Sequence, residues 1–115
     1  MKYNAYILDW TMNNYTVFKQ KLQDAHFNFI AKKNNPHLRV EVSFARVQDF
    51  FSIVRMHLNT SYNYIDIQFP SEKITVLIFS ERVIFISNEP ENEAARKWAI
   101  SKGLPIKQAD WSTSY

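Results

Sequence analysis

The sequence predicts an α+β fold with a mostly antiparallel sheet, and three stretches carry this prediction. Apolar and polar residues alternate over residues 37–44, which is typical of a strand with one buried face. Apolar residues recur at every third or fourth position over residues 45–59, which predicts an amphipathic helix. Residues 73–87 form two runs rich in β-branched residues around Ser-Glu-Arg, which predicts a hairpin with a loop of about three residues.

The chain begins with a predicted strand and a predicted helix. Residues 3–10 have strand-type composition, and Asn13 or Asn14 can cap the helix that follows. Phe18 and Leu22 lie four positions apart and therefore share one face of that helix. This part of the chain supplies one strand and one helix before the 37–44 strand.

Residues 26–33 can either continue this helix or form a strand. Phe27, Phe29 and Ala31 alternate, and the turn signal over residues 33–36 contains two asparagines and a proline. We favour a strand that pairs with residues 37–44 as a hairpin. If the helix instead runs to residue 32, the fold is still α+β.

The C-terminal half adds the strand 62–69, the 73–87 hairpin and a well-marked helix. In the strand, one alternate set faces inward (Ile65, Ile67 and Phe69) and the other faces outward (Tyr62, Tyr64, Asp66 and Gln68). Pro90 suits the first turn of the helix and Gly103 ends it. Glutamates at positions 89, 91 and 93 lie at its start and bases lie toward its end, so we assign the glutamates to capping and not to a metal.

The predicted order is β-α-β-β-α-β followed by β-β-α. The first six elements match the ferredoxin-like arrangement, in which two helices cover one face of an antiparallel sheet. We expect one domain over residues 1–115, with the final hairpin and helix extending the sheet and covering part of its other face. Because residues 74–86 are apolar on both sides, a homodimer through this hairpin is a second way to cover them. The tail, with Trp111 and Tyr115, is expected to dock on its own domain or to contact a partner.

The composition excludes several chemistries. The chain has no cysteine, which excludes disulfides and thiol nucleophiles, and one glycine, which excludes phosphate loops and dinucleotide fingerprints. The three histidines lack metal-ligand spacing, so we expect no metal and no cofactor. No apolar run is long enough for a membrane span, and the N-terminus lacks the features of a signal peptide, so the expected location is cytoplasmic.

The candidate binding residues are exposed aromatic and charged side chains. His37, Arg39 and Glu41 lie on the outward side of the 37–44 strand. Tyrosine and tryptophan cluster at strand ends and in the tail, and these residue types contribute strongly to protein interfaces. The partner-binding candidates are therefore Tyr6, His37, Arg39, Glu41, Tyr62, Tyr64 and Trp111.

These features predict a small non-catalytic domain that binds another macromolecule, most simply a protein-interaction or regulatory protein of the adaptor or immunity type. Residues 1–60 carry eight basic and four acidic residues, whereas residues 61–115 carry six and seven. This asymmetry supports an alternative, a nucleic-acid-binding domain that uses an open sheet face. A third hypothesis is a metal-free nuclease in which His37, Arg39 and Glu41 supply acid–base and charge stabilisation.

Overall fold

The computed structural model describes residues 2–111, so the tail residue Tyr115 lies outside the described part. The strands are β1 (Lys2–Leu8), β2 (Phe29–Ala31), β3 (His37–Ser43), β4 (Tyr64–Phe69), β5 (Ile74–Phe79) and β6 (Val83–Ile86). The helices are α1 (Tyr15–Asp24), α2 (Val47–His57) and α3 (Glu89–Ser101), with single 3₁₀ turns at Asp9–Thr11, Phe44–Arg46 and Ile106–Gln108. The predicted α+β class is confirmed, and residues 26–33 contain a strand, β2, as we favoured.

The six strands form two antiparallel sheets with the orders β1-β3-β2 and β4-β5-β6. In the first sheet β3 is central, and Arg39 is paired with Tyr6 on one side and Ile30 on the other. Along β3 the buried residues alternate with exposed ones, as the sequence predicts. In the second sheet β5 is central, and three residues connect it to β6, as predicted.

The hydrogen bonding therefore differs from the single sheet expected from the sequence. Strands β1 and β4 lie beside each other but form no ladder among the described residues. The turn Asp9–Thr11 interrupts the chain after β1, and pairing resumes only at Met12, which bridges to Leu58 just ahead of β4. At the other end of the two strands the rings of Tyr3 and Phe69 meet edge-on with their centroids 5.4 Å apart, so β1 and β4 pack together without a hydrogen-bonded ladder among the described residues.

Two apolar cores lie on opposite sides of the second sheet. Helices α1 and α2 contribute Phe18, Leu22, Phe50 and Val54 to a first core that contains the inward residues of β1, β3 and β4, together with Val76 and Ile78 of β5. Helix α3 packs on the other face of β5 and β6 and forms the second core, which includes Leu77, Phe79, Ile84, Ile86, Ala95 and Ala99. Strand β5 is therefore covered on both faces within one chain, which removes the reason given above for a homodimer.

At the start of α3, one of the three glutamates, Glu91, takes part in the capping that was predicted for them. The Asn88 side chain accepts a hydrogen bond from the backbone N–H of Glu91 at 2.9 Å. Glu91 Oε1 in turn accepts hydrogen bonds from the Ser87 hydroxyl and backbone N–H at 2.7 and 2.9 Å. These hydrogen bonds hold the pKa of the Glu91 carboxyl below its usual value. At the other end, Gly103 has a φ of 111°, a conformation that favours glycine.

The helices leave one sheet face uncovered. Helix α3 covers only the second sheet, and α1 and α2 lie on the first core, so the opposite face of β1-β3-β2 is exposed. This surface is called the open face below, and its outward residues are Lys2, Asn4, Tyr6, Ile30, His37, Arg39 and Glu41. No described helix has the length and apolar character needed to cross a membrane.

Candidate functional site

A cleft of about 420 Å³ lies beside the end of β1 and the start of β4. Its sides are the outward residues of β1 and β4, and its far wall is the segment that follows α3. The segment reaches this position because its residues Leu104, Ala109 and Trp111 are buried in the second core. The cleft therefore lies at the boundary between the open face and the part of the molecule that α3 and the following segment cover.

Four aromatic side chains line the cleft. Tyr6 is 56% exposed and Trp10 is 62% exposed, whereas Tyr62 and Tyr64 are half-buried. Tyr6 is exposed because it alternates along β1 with the fully buried Ala5 and Ile7. Large exposed aromatic side chains at the edge of a concavity are typical of interaction surfaces.

The Trp10 position is fixed through its backbone. The carbonyl of Trp10 accepts a hydrogen bond from Asn59 Nδ2 at 2.6 Å, and the N–H of the preceding Asp9 donates to the Pro36 carbonyl at 2.9 Å. The indole ring itself makes no ring contact with another described aromatic residue. An anchored backbone therefore presents an exposed indole at the rim of the cleft.

Tyr64 is held more tightly than the other aromatic residues of the cleft. Its hydroxyl donates to the Gln108 carbonyl at 2.9 Å, and its ring meets the Trp111 ring edge-on at 5.4 Å between centroids. Burial, together with the nearby Asp66 and Asp110 carboxylates, raises the pKa of Tyr64 to about 12. The phenol thus stays protonated at neutral pH and ties β4 to the segment after α3.

Two carboxylates and one ammonium group complete the cleft. Asp66 lies on β4, while Lys107 and Asp110 come from the segment after α3. Burial, and to a smaller extent the charge of Asp110, raises the pKa of Asp66 against the effect of a hydrogen bond to its own backbone. Among the described residues neither carboxylate forms an ion pair. The cleft is therefore aromatic and mildly acidic.

A smaller pocket of about 140 Å³ lies next to the cleft on the open face. It is lined by the cations of Lys32 and Arg39, the imidazole of His37 and the side chains of Tyr6, Ile30 and Asn35. No carboxylate lines this pocket. Asn35 Oδ1 accepts from the backbone N–H of His37 at 2.9 Å and so supports the turn into β3. Tyr6 and His37 are common to the cleft and the pocket.

The structure brings together five of the seven residues predicted from the sequence. Tyr6, His37, Tyr62 and Tyr64 line the cleft, and Arg39 lies in the adjacent pocket. Glu41 lies on the same strand face but farther along β3, where its carboxylate is 4.0 Å from the Lys2 ammonium group. Its charge is thus partly compensated within the chain.

Trp111 is not at the surface and needs a correction. It is 4% exposed, and its indole N–H donates to the Oδ1 of Asn92, itself 1% exposed, at 2.8 Å. The described part of the tail, which ends at Trp111, packs on its own domain, as in the first of the two expectations. Trp111 can affect a partner only through Tyr64, which it supports. Tyr64 likewise is not simply outward, because the same segment covers part of β4.

The predicted set omits Trp10, Asp66, Lys107 and Asp110, all of which line the cleft. Trp10 could have been predicted from the sequence, since it is one of the aromatic residues that cluster at strand ends. Asp66 was predicted to face outward with Tyr62 and Tyr64, but its proximity to Asp110 had no sequence signal, because the two aspartates are 44 positions apart and meet only through the docked segment. Comparisons with protein-family models, with curated protein sequences and with solved structures find no match, so the function is argued from these residues.

Proposed function

We propose that this chain is a non-catalytic protein-binding domain and that the aromatic cleft receives a segment of the partner. The observation that carries the proposal is the pair of aromatic side chains, Tyr6 and Trp10, which are 56% and 62% exposed at one concave site. Burying such rings against a partner removes a large apolar area from water, and Trp and Tyr are enriched among the residues that dominate binding energy.

The rigidity of the cleft supports the same proposal. Tyr64 is fixed by the Gln108 carbonyl and the Trp111 ring, and the backbone of Trp10 is fixed by Asn59. A surface that is already ordered loses little conformational entropy when a partner binds. The exposed rings therefore sit on a framework that needs little rearrangement.

The spacing along β3 argues against the nuclease hypothesis. His37 and Glu41 are four residues apart on an extended strand, so their α-carbons are separated by about 13 Å. An acid and a base that act on one phosphoryl group need to reach it within hydrogen-bond distance. Glu41 moreover lies close to Lys2. Non-catalytic binding accounts for this surface without requiring those two groups to meet.

The proposal also includes a fold type and a cellular location. The central position of β3 and the antiparallel pairing of β1, β3 and β2 support a ferredoxin-like core in which β4 has separated from β1. The lack of cysteine supports a reducing compartment such as the cytoplasm.

Site-specific photo-cross-linking tests the proposal. A photoreactive phenylalanine derivative placed at Trp10 should capture a protein in nuclease-treated extract, whereas the same group at Met56 should not. Met56 is a matched control because it is 68% exposed on α2, away from the cleft. The captured protein is then purified, and its affinity for the Trp10→Ala and Met56→Ala variants is measured.

We expect Trp10→Ala to lower that affinity by about 30-fold or more, which corresponds to a hot-spot residue of about 2 kcal/mol. Met56→Ala should bind as the unaltered chain does. Equal affinities for the unaltered chain and Trp10→Ala would show that the cleft is not the binding surface, and the proposal would be wrong. Capture of a second copy of this chain would identify the partner as the chain itself.

A further inference from the structure

We infer that the open face is a binding site for single-stranded nucleic acid, centred on Arg39 and Tyr6. This site adjoins the proposed protein contact and shares Tyr6 with it, whereas Arg39 lines only the pocket and Trp10 lines only the cleft, so the two proposals can be tested separately. The charge of the open face is the first observation that supports this site. The open face and its pocket carry the cations of Lys2, Lys32 and Arg39 and one carboxylate, Glu41.

Among the described residues of this face, the carboxylate of Glu41 forms an ion-pair contact with Lys2 and not with the central Arg39. Glu41 lies 4.0 Å from Lys2, at one end of β1. Within residues 2–111, Arg39 and Lys32 have no ion-pair partner. Two uncompensated cations therefore line one pocket of about 140 Å³ that contains no acidic residue. A phosphate group supplies the missing charge, and an arginine can bind it through two parallel hydrogen bonds.

The side chains on either side of Arg39 favour a nucleic acid strand over a free anion. The register places Tyr6 and Ile30 directly across from Arg39 on the two neighbouring strands. Adjacent strands are about 4.8 Å apart, so the ring and the aliphatic side chain lie roughly 10 Å from each other with the guanidinium between them. A phosphate at Arg39 would thus have an apolar surface on each side against which a base can pack.

The architecture favours a single strand over a duplex. Aromatic residues on an exposed sheet beside basic groups form a platform on which unpaired bases stack, and that stacking requires bases that are not already paired. The carboxylates of Asp66 and Asp110 limit the site on the β4 side, because they repel phosphate. The strand is therefore expected to cross β1, β3 and β2 and not to enter the cleft.

Fluorescence anisotropy with a labelled oligothymidylate of about 12 nucleotides tests the inference. If Arg39 and Lys32 each neutralise one phosphate, the logarithm of the association constant should fall with the logarithm of salt concentration with a slope of about −1.4. Arg39→Gln should lower the affinity and reduce the slope to about −0.7. Tyr6→Leu should lower affinity by about 5- to 100-fold through lost stacking, whereas Tyr6→Phe, which keeps the ring, should not.

Lys97→Gln is the matched control, since Lys97 is an exposed base on α3, remote from the open face. Circular dichroism of each variant verifies the fold, and both Arg39 and Tyr6 are exposed, so their replacement leaves the core intact. Affinity that depends on Arg39 and on the Tyr6 ring, and that Lys97→Gln leaves unchanged, supports the inference.

Three results would overturn it. The first is no binding of the oligonucleotide at about 50 mM salt. The second is a loss with Lys97→Gln as large as that with Arg39→Gln, which indicates attraction to overall positive charge. The third is equal or tighter binding of a duplex, or of a polyglutamate peptide of similar charge, which would assign the face to double-stranded nucleic acid or to an acidic protein. The cross-linking experiment at Trp10 reports on the cleft separately, since Trp10 does not line this pocket.

Discussion

The hydrogen bond between Asn92 and Trp111 holds the wall of the cleft in place, and Asn92→Ala tests this role. Asn92 Oδ1 accepts from the indole N–H at 2.8 Å, and both residues are buried, at 1% and 4% exposure. The replacement leaves the indole donor buried without a partner, which costs about 1–3 kcal/mol. Alanine is the better helix former by roughly 0.5 kcal/mol. The expected net loss of unfolding free energy is therefore about 1–2 kcal/mol.

Urea unfolding followed by far-UV circular dichroism measures this loss, and thermal unfolding should show a midpoint lowered by about 4 °C per kcal/mol. Glu93→Ala is the matched control, because Glu93 is an exposed neighbour on α3, and it should change stability by less than about 0.5 kcal/mol. A double-mutant cycle with Trp111→Phe isolates the pair and should give a coupling of about 1 kcal/mol.

The same variant should loosen the cleft. Gln108 lies three residues before Trp111 and its carbonyl accepts the Tyr64 hydroxyl, so a released indole also weakens that contact. Amide hydrogen exchange over residues 104–111 should then accelerate more than exchange in the first core. The reasoning is refuted if Asn92→Ala costs no more than Glu93→Ala, or if the double-mutant cycle shows no coupling.

Two further predictions concern the charge and the backbone of the cleft. Burial raises the pKa of Asp66 above its ordinary 3.8, so ionisation of this carboxyl group opposes folding. The folded chain is therefore more stable at low pH, where Asp66 is protonated, and it loses this stability as the pH rises through the raised pKa. Asp66→Asn should therefore be more stable than the unaltered chain at about pH 7 in urea unfolding, and this difference should shrink as the pH falls toward about 4. A gain independent of pH would contradict this. Gly103→Ala should lower the free energy of unfolding by about 1–3 kcal/mol in the same assay, because φ is 111° and an added Cβ would lie 3.2 Å from Tyr62 Cδ1. A decrease of less than about 0.5 kcal/mol would contradict this prediction.

Local sequence patterns predicted the elements well, because the signals that form them are local. Alternation over residues 37–44 and the i, i+3, i+4 spacing over residues 45–59 reflect burial of one face, and the structure buries those faces. The start of α3 was predictable because helix capping depends on side chains that lie close together in the sequence around Pro90. At α1 the capping prediction was correct for the position of the N-cap but not for the side-chain hydrogen bond. Asn14 stands at the N-cap position, but with a φ of 51° and no side-chain cap bond.

The division into two sheets was not predictable, because it depends on long-range geometry. Whether β1 and β4 form a ladder is decided by the 3₁₀ turn at Asp9–Thr11 and by the Met12–Leu58 bridge, which joins residues 46 positions apart. Neither has a strong local signature. The position of Trp111 had the same difficulty, since its burial requires an acceptor on α3 that lies 19 residues away.

The cleft follows from these two long-range events acting together. The outward residues of β1 and β4 form one side of it, and the docked segment that ends at Trp111 forms the other. Tyr6 and Trp10 remain exposed at this site, although burying a large aromatic side chain is among the most favourable contributions to folding. Such exposed apolar area is available to stabilise a complex, and this is why the proposed binding role is assigned to the cleft and not inferred from the composition of the chain.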